Sequence, residues 1–510
     1  MIFKSTLRTG LFLCKQDYGG IKCLTSVFCT RTTSTVIGGD KQQTMDDLDG
    51  PSFLTSLYWL FGKGYFQTTH QMQIEHSKIY GPLWKSKYGP LVVVNVANAD
   101  LIEQVLRQEG RHPIRTDMPH WRGYRKLRNH AYGPLTEMGA EWQRIRSILN
   151  PRMLKPKHVS SYTSAINGVV SDFIEKVAKL RTTKGNDLMV YDVAGELYKF
   201  AFEGSVYLYY CITMFLCNFD FRCSFYYRAH THTHIYMPFW KHFVAVWDHL
   251  FKVADELVQK KMAEIQERVK YGQPVEGEYL THLLISEQMS FTEVLGSITE
   301  LLLAGVDTTS NTISWALYHL AREPEIQQKL YEEIISVCPG DKVPCSEDII
   351  RMPLLKAIVK ETLRLYPVVP GNARVIAERE IVVGGHLFPK NTLFHLCHFA
   401  VSYDEKVFPN PSAFLPQRWI RGEKQLNQHP FGSVPFGFGI RACLGRRVAE
   451  LEMYLLLSRL IKHYEVRPDP SGRTVKPITR TLLVPATSID LQFIDRQEQQ
   501  EEPVKANASV

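Results

Sequence analysis

The sequence predicts one large, mainly α domain with a small β-sheet region. Three observations carry that expectation. Helix-period stretches with recognisable starts and stops recur from about residue 98 to 463, and the longest, Phe291 to Arg322, is the best defined. Strand-like pieces are few and confined to Leu83–Val96 and 374–396. No repeat or interdomain linker divides the chain, although 510 residues could hold two or three ordinary domains. With 45% hydrophobic and 22% charged residues, the composition is that of a globular chain.

The elements follow in order. Residues 1–39 carry Lys4, Arg8, Lys15, Lys22 and Arg31 against a single acid, Asp17, and are rich in Ser and Thr. This is the composition of a mitochondrial transit peptide; the plainer reading is a basic tail. The apolar pieces Leu11–Cys14 and Phe53–Phe61 fall far short of the ~20 residues a spanning helix needs. Pro51–Phe61, rich in Leu, Trp, Tyr and Phe, suits a membrane surface or packing on the core equally well. Leu83–Val96 reads as two strands around the turn Tyr88-Gly89-Pro90. Helices are expected at about 98–109, 140–150 and 158–181. The long helix opens on a capping box, Ser290 and Glu293, and stops at Pro324, which cannot continue the hydrogen-bond ladder. Pro324 can then open a second helix to about Val337. Further helices are expected from Pro353 to Tyr366 and from Gly445 to His463. The domain is placed at 40–495, with a polar, disordered tail at 496–510.

The ten cysteines are too few and too irregular for a disulfide framework, so reduced thiols are expected. The net charge of +8 fits acidic proteins and anionic membranes as well as nucleic acid. No nucleic-acid motif accompanies it, so no nucleic-acid partner is expected.

The strongest chemical signal is Phe436-Gly-Phe-Gly439-Ile-Arg441-Ala-Cys443-Leu-Gly445. Glycines at 437, 439 and 445 allow a tight turn and a close approach of backbone to a flat ligand. Arg441 can hold a carboxylate. A helix starts just after Cys443, and its N-terminal N–H groups favour a thiolate. A lone cysteine beside a Gly-rich turn would more often be inert. The full pattern Phe-x-x-Gly-x-Arg-x-Cys-x-Gly, however, matches the haem-binding loop of the cytochrome P450 family, and the chain resembles that family. The resemblance implies a helical prism around haem b, with Cys443 as the thiolate ligand of iron, and a thiolate favours O–O cleavage.

Other motifs fall in the family's order. Glu361-Thr-Leu-Arg364 resembles its Glu-x-x-Arg pair, and Arg418 in Phe414-Leu-Pro-Gln-Arg418-Trp419 occupies the place of the third member. The implied role is structural, behind the haem loop; alone, the pair would be an ordinary ion pair. Ala304-Gly-Val-Asp307-Thr308-Thr309 lies inside the long helix, where a glycine is unfavourable by ~1 kcal/mol. In this family the glycine would leave room for dioxygen, with Thr308 hydrogen-bonding the bound oxygen and Asp307 relaying protons. The plainer alternative is a Thr bonded back to its i−4 carbonyl. Trp142 and Arg146, on one helix face, and Arg374 are placed as contacts of the haem propionates. Arg122, Arg125, Lys126 and Arg128 are expected to be solvated.

Lys356 and Lys360 lie one turn apart, and Arg446 and Arg447 follow the cysteine loop. This pattern resembles the mitochondrial class, which takes electrons from an acidic ferredoxin of the adrenodoxin type and its NADPH reductase. A location on the matrix side of the inner membrane, with peripheral contact, follows. Glu300–Thr312, Leu363–Pro370, His429–Phe436, Tyr132-Gly-Pro and Leu149–Leu154 resemble the mitochondrial sterol 27-hydroxylases, and vitamin D hydroxylases are close relatives. The resemblance covers 45–204 and 238–495. It implies hydroxylation of a sterol side chain at the 26/27 position, with vitamin D 25- or 1α-hydroxylation as the alternative. A peroxide-rearranging enzyme without a redox partner is disfavoured by Asp307-Thr308 and the cationic face. The apolar pocket is expected at Val306, Val368, Val369 and 113–130.

Residues 205–237 break the pattern. They hold Cys211, Cys217, Cys223 and the run His230-Thr-His-Thr-His234, with aromatic clusters of no helical period. A simple CA repeat encodes His-Thr alternation, so the segment reads as translated intron. A splice variant with a disrupted substrate roof, and hence an inactive haem-binding product, is the competing reading.

Overall fold

The computed structural model describes residues 42–183, 185, 187–210, 238–275, 279–420 and 429–496. The leader at 1–39, nearly all of the anomalous segment and the tail after 496 lie outside the described residues.

Short helices open the structure: α1 (Phe53–Leu57), which runs on into a π-helical turn, Tyr58–Gly62, and α2 (Thr69–Tyr80). The hairpin β1 (Leu83–Tyr88) and β2 (Leu91–Val96) turns at Gly89, whose φ of +63° suits glycine. Helices α3 (Ala99–Arg107), α4 (Pro119–Arg128), α5 (Gly139–Leu154), α6 (Pro156–Ser160) and α7 (Thr163–Arg181) follow, then β3 (Met189–Val190) and α8 (Val193–Tyr210). Helix α5 runs through Pro151, four residues past the expected stop. Its missing N–H removes one bond of the ladder, that to the Ser147 carbonyl, and the helix ends three residues later.

The second half begins with α9 (Pro238–Lys270), α10 (Tyr279–Ile285) and the long α11 (Phe291–Arg322). At the start of α11, Ser290 Oγ accepts from the Glu293 N–H and the Glu293 carboxylate accepts from the Ser290 N–H at 2.8 Å. Helices α12 (Pro324–Val337), α13 (Ser346–Ile350) and α14 (Pro353–Leu365) come next. Strands β4 (Asn372–Ile376), β5 (Ile381–Val383), β6 (His386–Phe388) and β7 (Thr392–Leu396) precede α15 (His398–Ser402) and α16 (Arg446–His463). Four strands close the chain: β8 (Tyr464–Pro468), β9 (Pro477–Thr479), β10 (Leu483–Pro485) and β11 (Leu491–Asp495). The largest sheet has the order β1-β2-β7-β4, with β2 and β7 parallel.

The main apolar core lies among α5, α7, α8, α9, α11, α14 and α16, with a smaller core between α3 and the four-stranded sheet. Helix α11 is its axis: most of its residues are buried, polar ones included. A helix that is buried all round must satisfy those polar groups internally. The hydroxyls of Thr299, Thr308, Ser310, Thr312 and Ser314 do so by donating to carbonyls one turn back.

Candidate functional site

The loop before α16 is set by two left-handed glycines, Gly437 (φ +71°) and Gly439 (φ +70°). The Cys443 N–H donates to the Phe436 carbonyl at 2.8 Å, which closes the loop. A side chain at Gly439 would meet the Glu109 carboxylate at 2.5 Å, so two constraints select glycine there. Cys443 is surrounded by protein yet exposed, so its sulfur opens onto an internal space. Burial pushes its thiol upward; the Gly445 N–H and the cations Arg146, Arg115 and Arg446 act in the opposite direction. An anionic sulfur here therefore asks for a nearby cation, and a metal ion deprotonates a coordinating thiol outright.

Four guanidinium groups gather near this loop. Arg441, 2% exposed, donates to the carbonyls of Pro113 (2.8 Å) and Glu137 (3.3 Å) and lies 3.8 Å over the Trp142 ring. Arg146 donates to the Ala442 carbonyl at 3.0 Å, and Arg115 to the Arg441 carbonyl at 3.0 Å. Arg374 pairs with Glu109 at 2.7 Å. Burial first, and then mutual repulsion, pushes Arg115 down to about 10 and Arg441 to about 9. Among the described residues, Glu109 is the carboxylate that offsets them. Arg115 Nε and Trp142 Nε1 are buried without a hydrogen-bond partner. Such a cluster calls for further anions that accept from these donors. A flat ligand with two carboxylates and a thiolate-binding metal fits it, and haem is such a group. Arg115 and Glu109 were missed in the sequence. Nothing in His112-Pro-Ile-Arg115 marks them beyond lying just before a basic helix.

On α11, Ala304, Gly305 and Thr308 share one partly exposed face. Val306 lies off that face, fully buried in the core, and Val368 is 5% exposed. Both were expected at the pocket, as was Val369, which is partly exposed. A side chain at Gly305 would meet Ser205 Oγ at 2.9 Å, so α8 packs closely on the helix there. Thr308 Oγ1 donates to the Ala304 carbonyl at 2.7 Å, the plainer of the two readings; its lone pairs stay available as acceptors. Asp307 is 5% exposed, and burial pushes its carboxyl up to about 7.

Glu361, Arg364 and Arg418 meet behind the loop. Glu361 accepts from Arg364 (2.7 and 2.9 Å), Arg418 (3.0 Å) and Trp419 Nε1 (2.8 Å). Arg364 also donates to the carbonyls of Ser402, Pro411 and Ala413. The four proposed docking cations differ. Lys360 and Arg447 are exposed, whereas Lys356 is half-buried on the Ile350 carbonyl and Arg446 is paired with Glu450 at 3.0 Å.

Arg125, expected to be solvated, is 1% exposed and pairs with Glu300 at 3.0 Å. Helix α4 turns Tyr124 and Arg125 inward against α9, with the guanidinium 4.3 Å from the centre of the Phe251 ring. Lys126 and Arg128 are exposed as expected, with Arg128 bonded to Asp248 at 2.6 Å, while Arg122 is half-exposed.

Comparison with known proteins gives a consistent picture. A family model described as Cytochrome P450 matches residues 50–493. The mitochondrial sterol 26-hydroxylase of Rattus norvegicus is 44% identical over 478 residues, 89% of this chain and 90% of that protein. Its Homo sapiens counterpart is 43% identical over 480 residues, 90% of each chain. The mitochondrial 25-hydroxyvitamin D-1 alpha hydroxylase of Homo sapiens is 42% identical over 491 residues, 89% of this chain and 94% of that protein.

Proposed function

The chain belongs to the cytochrome P450 family, and we propose that it is a mitochondrial monooxygenase that hydroxylates a sterol side chain at the 26/27 position. The single observation that carries the substrate class is the similarity, over nine-tenths of both chains, to proteins named as mitochondrial sterol 26-hydroxylases. The cofactor is haem, which when bound through a cysteine thiolate activates dioxygen for insertion into a C–H bond. Cys443 would hold the iron. Arg115, Arg146, Arg374, Arg441 and the Trp142 N–H would hold the two propionates, relieving the charge that burial concentrates there. Phe436, whose carbonyl accepts from the Cys443 N–H, and Gly439, left-handed, would hold the loop that presents the sulfur. Asp307, half-protonated near neutral pH, would give and take protons on the distal side, with the Thr308 oxygen as acceptor beside it.

Electrons would come from a mitochondrial ferredoxin and its NADPH reductase, docking at the exposed Lys360 and Arg447. No helix among the described residues is long and apolar enough to cross a membrane. Leu54, Tyr58, Phe61 and Phe66 are exposed around α1, and the last two rings stack at 5.5 Å. This patch supports peripheral contact with the matrix side of the inner membrane.

The reading is tested on the purified chain. Carbon monoxide binding to the reduced protein should give the thiolate-type Soret band, and Cys443→Ala should abolish it. Titration with cholesterol, bile-acid intermediates and vitamin D should give the low-to-high-spin change with a sterol first. A response to vitamin D alone would replace the substrate, and an unchanged spectrum in Cys443→Ala would remove the ligand.

A further inference from the structure

Glu109 is wedged between the arginine cluster and the cysteine loop. It follows α3 by two residues, where the chain runs along β4 and the Val375 N–H donates to the Ile114 carbonyl at 2.9 Å. That bridge sets residues 109–115 beside Arg374, and the Glu109 carboxylate accepts from Arg374 Nε at 2.7 Å. Its other oxygen lies where a side chain on Gly439 would have to go. The Glu109 and Arg374 side chains are 8% and 3% exposed, so salt and water screen them little. The same carboxylate acts across space on Arg115 and Arg441.

The charges can be counted. Arg115, Arg146, Arg374 and Arg441 are all within reach of one another. The ligands expected there, two propionates and the Cys443 thiolate, answer three of these cations. Glu109 answers the fourth, and the cluster is then neutral. Without it one positive charge would remain beside the metal site. Such a charge favours reduced iron, which carries one more electron. Net charge and burial are levers by which a protein sets the potential of a metal centre. A unit charge across about 10 Å of protein is worth roughly a tenfold change in such an equilibrium.

We propose that Glu109 is the counter-charge of the haem site, holding the reduction potential of the iron below the value that the four arginines alone would set. This rests on the monooxygenase reading and deepens it. A residue outside the motifs read from the sequence then governs how readily the iron accepts the ferredoxin's electron.

The test is a potentiometric titration of the haem-bound chain, followed by its absorption spectrum, on the parent, Glu109→Gln, Arg374→Gln and the double variant. Glu109→Gln keeps the size of the side chain and removes its charge. Its midpoint should rise by about 59 mV, the one-electron equivalent of a tenfold change. The same rise should separate the double variant from Arg374→Gln, because a charge acts whether or not its ion-pair partner is present. Salt should barely alter either step, as for any charge held out of water. Glu109→Asp, which keeps the charge, should stay near the parent. A rise in Glu109→Gln that vanishes in the Arg374→Gln background would mean that Glu109 only holds Arg374 in place, and it overturns the proposal. Unmoved midpoints on both legs overturn it as well. If Glu109→Gln alone takes up haem poorly, the leg built on Arg374→Gln decides by itself. A parent chain without the thiolate-type spectrum overturns the monooxygenase reading instead, before any midpoint is measured.

Discussion

Glu300 and Arg125 show how unequal two members of one ion pair can be. Both side chains are buried, so neither can fall back on water. The carboxylate also accepts from the N–H groups of Gly133 (3.2 Å) and Leu135 (2.7 Å) and from the Thr136 hydroxyl. Among the described residues the guanidinium has Glu300 and the faces of Trp247 and Phe251, with Nε and Nη1 unpartnered. Removing one partner of a buried pair costs about 3–5 kcal/mol because the other charge is stranded. Glu300→Leu should therefore destabilise by an amount in that range, and Arg125→Met by distinctly less. Denaturant unfolding of the two variants checks the order; equal losses would mean the backbone donors contribute nothing. Glu300 lay inside a recognised motif stretch, yet its partner was unreadable. Four cations in ten residues look like a wet surface until α9 is known to cover Tyr124 and Arg125. Cys443, by contrast, was legible because loop, glycines and arginine sit within ten residues.

At the scale of elements, what was local in sequence was legible and what was assembled from afar was not. Helices α11, α12 and α14 and the hairpin β1–β2 stop and start on a capping box, prolines and a Gly turn, signals that act within one turn of chain. Helix α9, 33 residues long, and helix α8 went unplaced because they flank the segment without helical period. The close approach of α8 to Gly305 was unreadable for the same cause: Ser205 lies a hundred residues away. The docking cations follow this rule too. Spacing grouped Lys356 with Lys360 and Arg446 with Arg447, but Lys356 is half-buried on the Ile350 carbonyl and Arg446, though exposed, is paired with Glu450. Charge that already has a partner contributes little to steering. Reversing Lys360 or Arg447 to Glu should thus weaken ferredoxin-driven turnover more than the same change at Lys356 or Arg446. The difference should be largest at low ionic strength and shrink as the Debye length falls below ~10 Å. Turnover measured across a salt series decides it, and four equal effects would place the docking elsewhere.

The whole molecule carries two buried acids whose cost is spread over its stability. Asp307 on α11 is raised to about 7 and Glu452 on α16 to about 8, both by burial. Glu452 is 3% exposed and faces Gly204 of α8, where a Cβ would lie 3.2 Å from its carboxylate. Each group is neutral in the folded chain at pH 5 and ionised in the unfolded chain from near its ordinary value upward. Between those two values the folded state holds the extra proton, so stability falls as pH rises, from about 4 toward 8. Glu452 lies outside the motifs and its position on α16 is ordinary, so only the folded structure reveals it. A glutamine there cannot ionise. It bears the same burial cost at every pH, whereas the glutamic acid bears a charge cost that grows with pH. Glu452→Gln should therefore remove this group's share of the loss and keep that of Asp307, so that between pH 5 and pH 8 the parent chain loses on the order of 3–5 kcal/mol more than the variant. The measurement is the unfolding midpoint of both chains at the two pH values with haem bound. If the gap between them does not widen in favour of the variant at pH 8, the carboxyl is solvated or paired in solution, and the core between α8 and α16 is wetter than its packing implies.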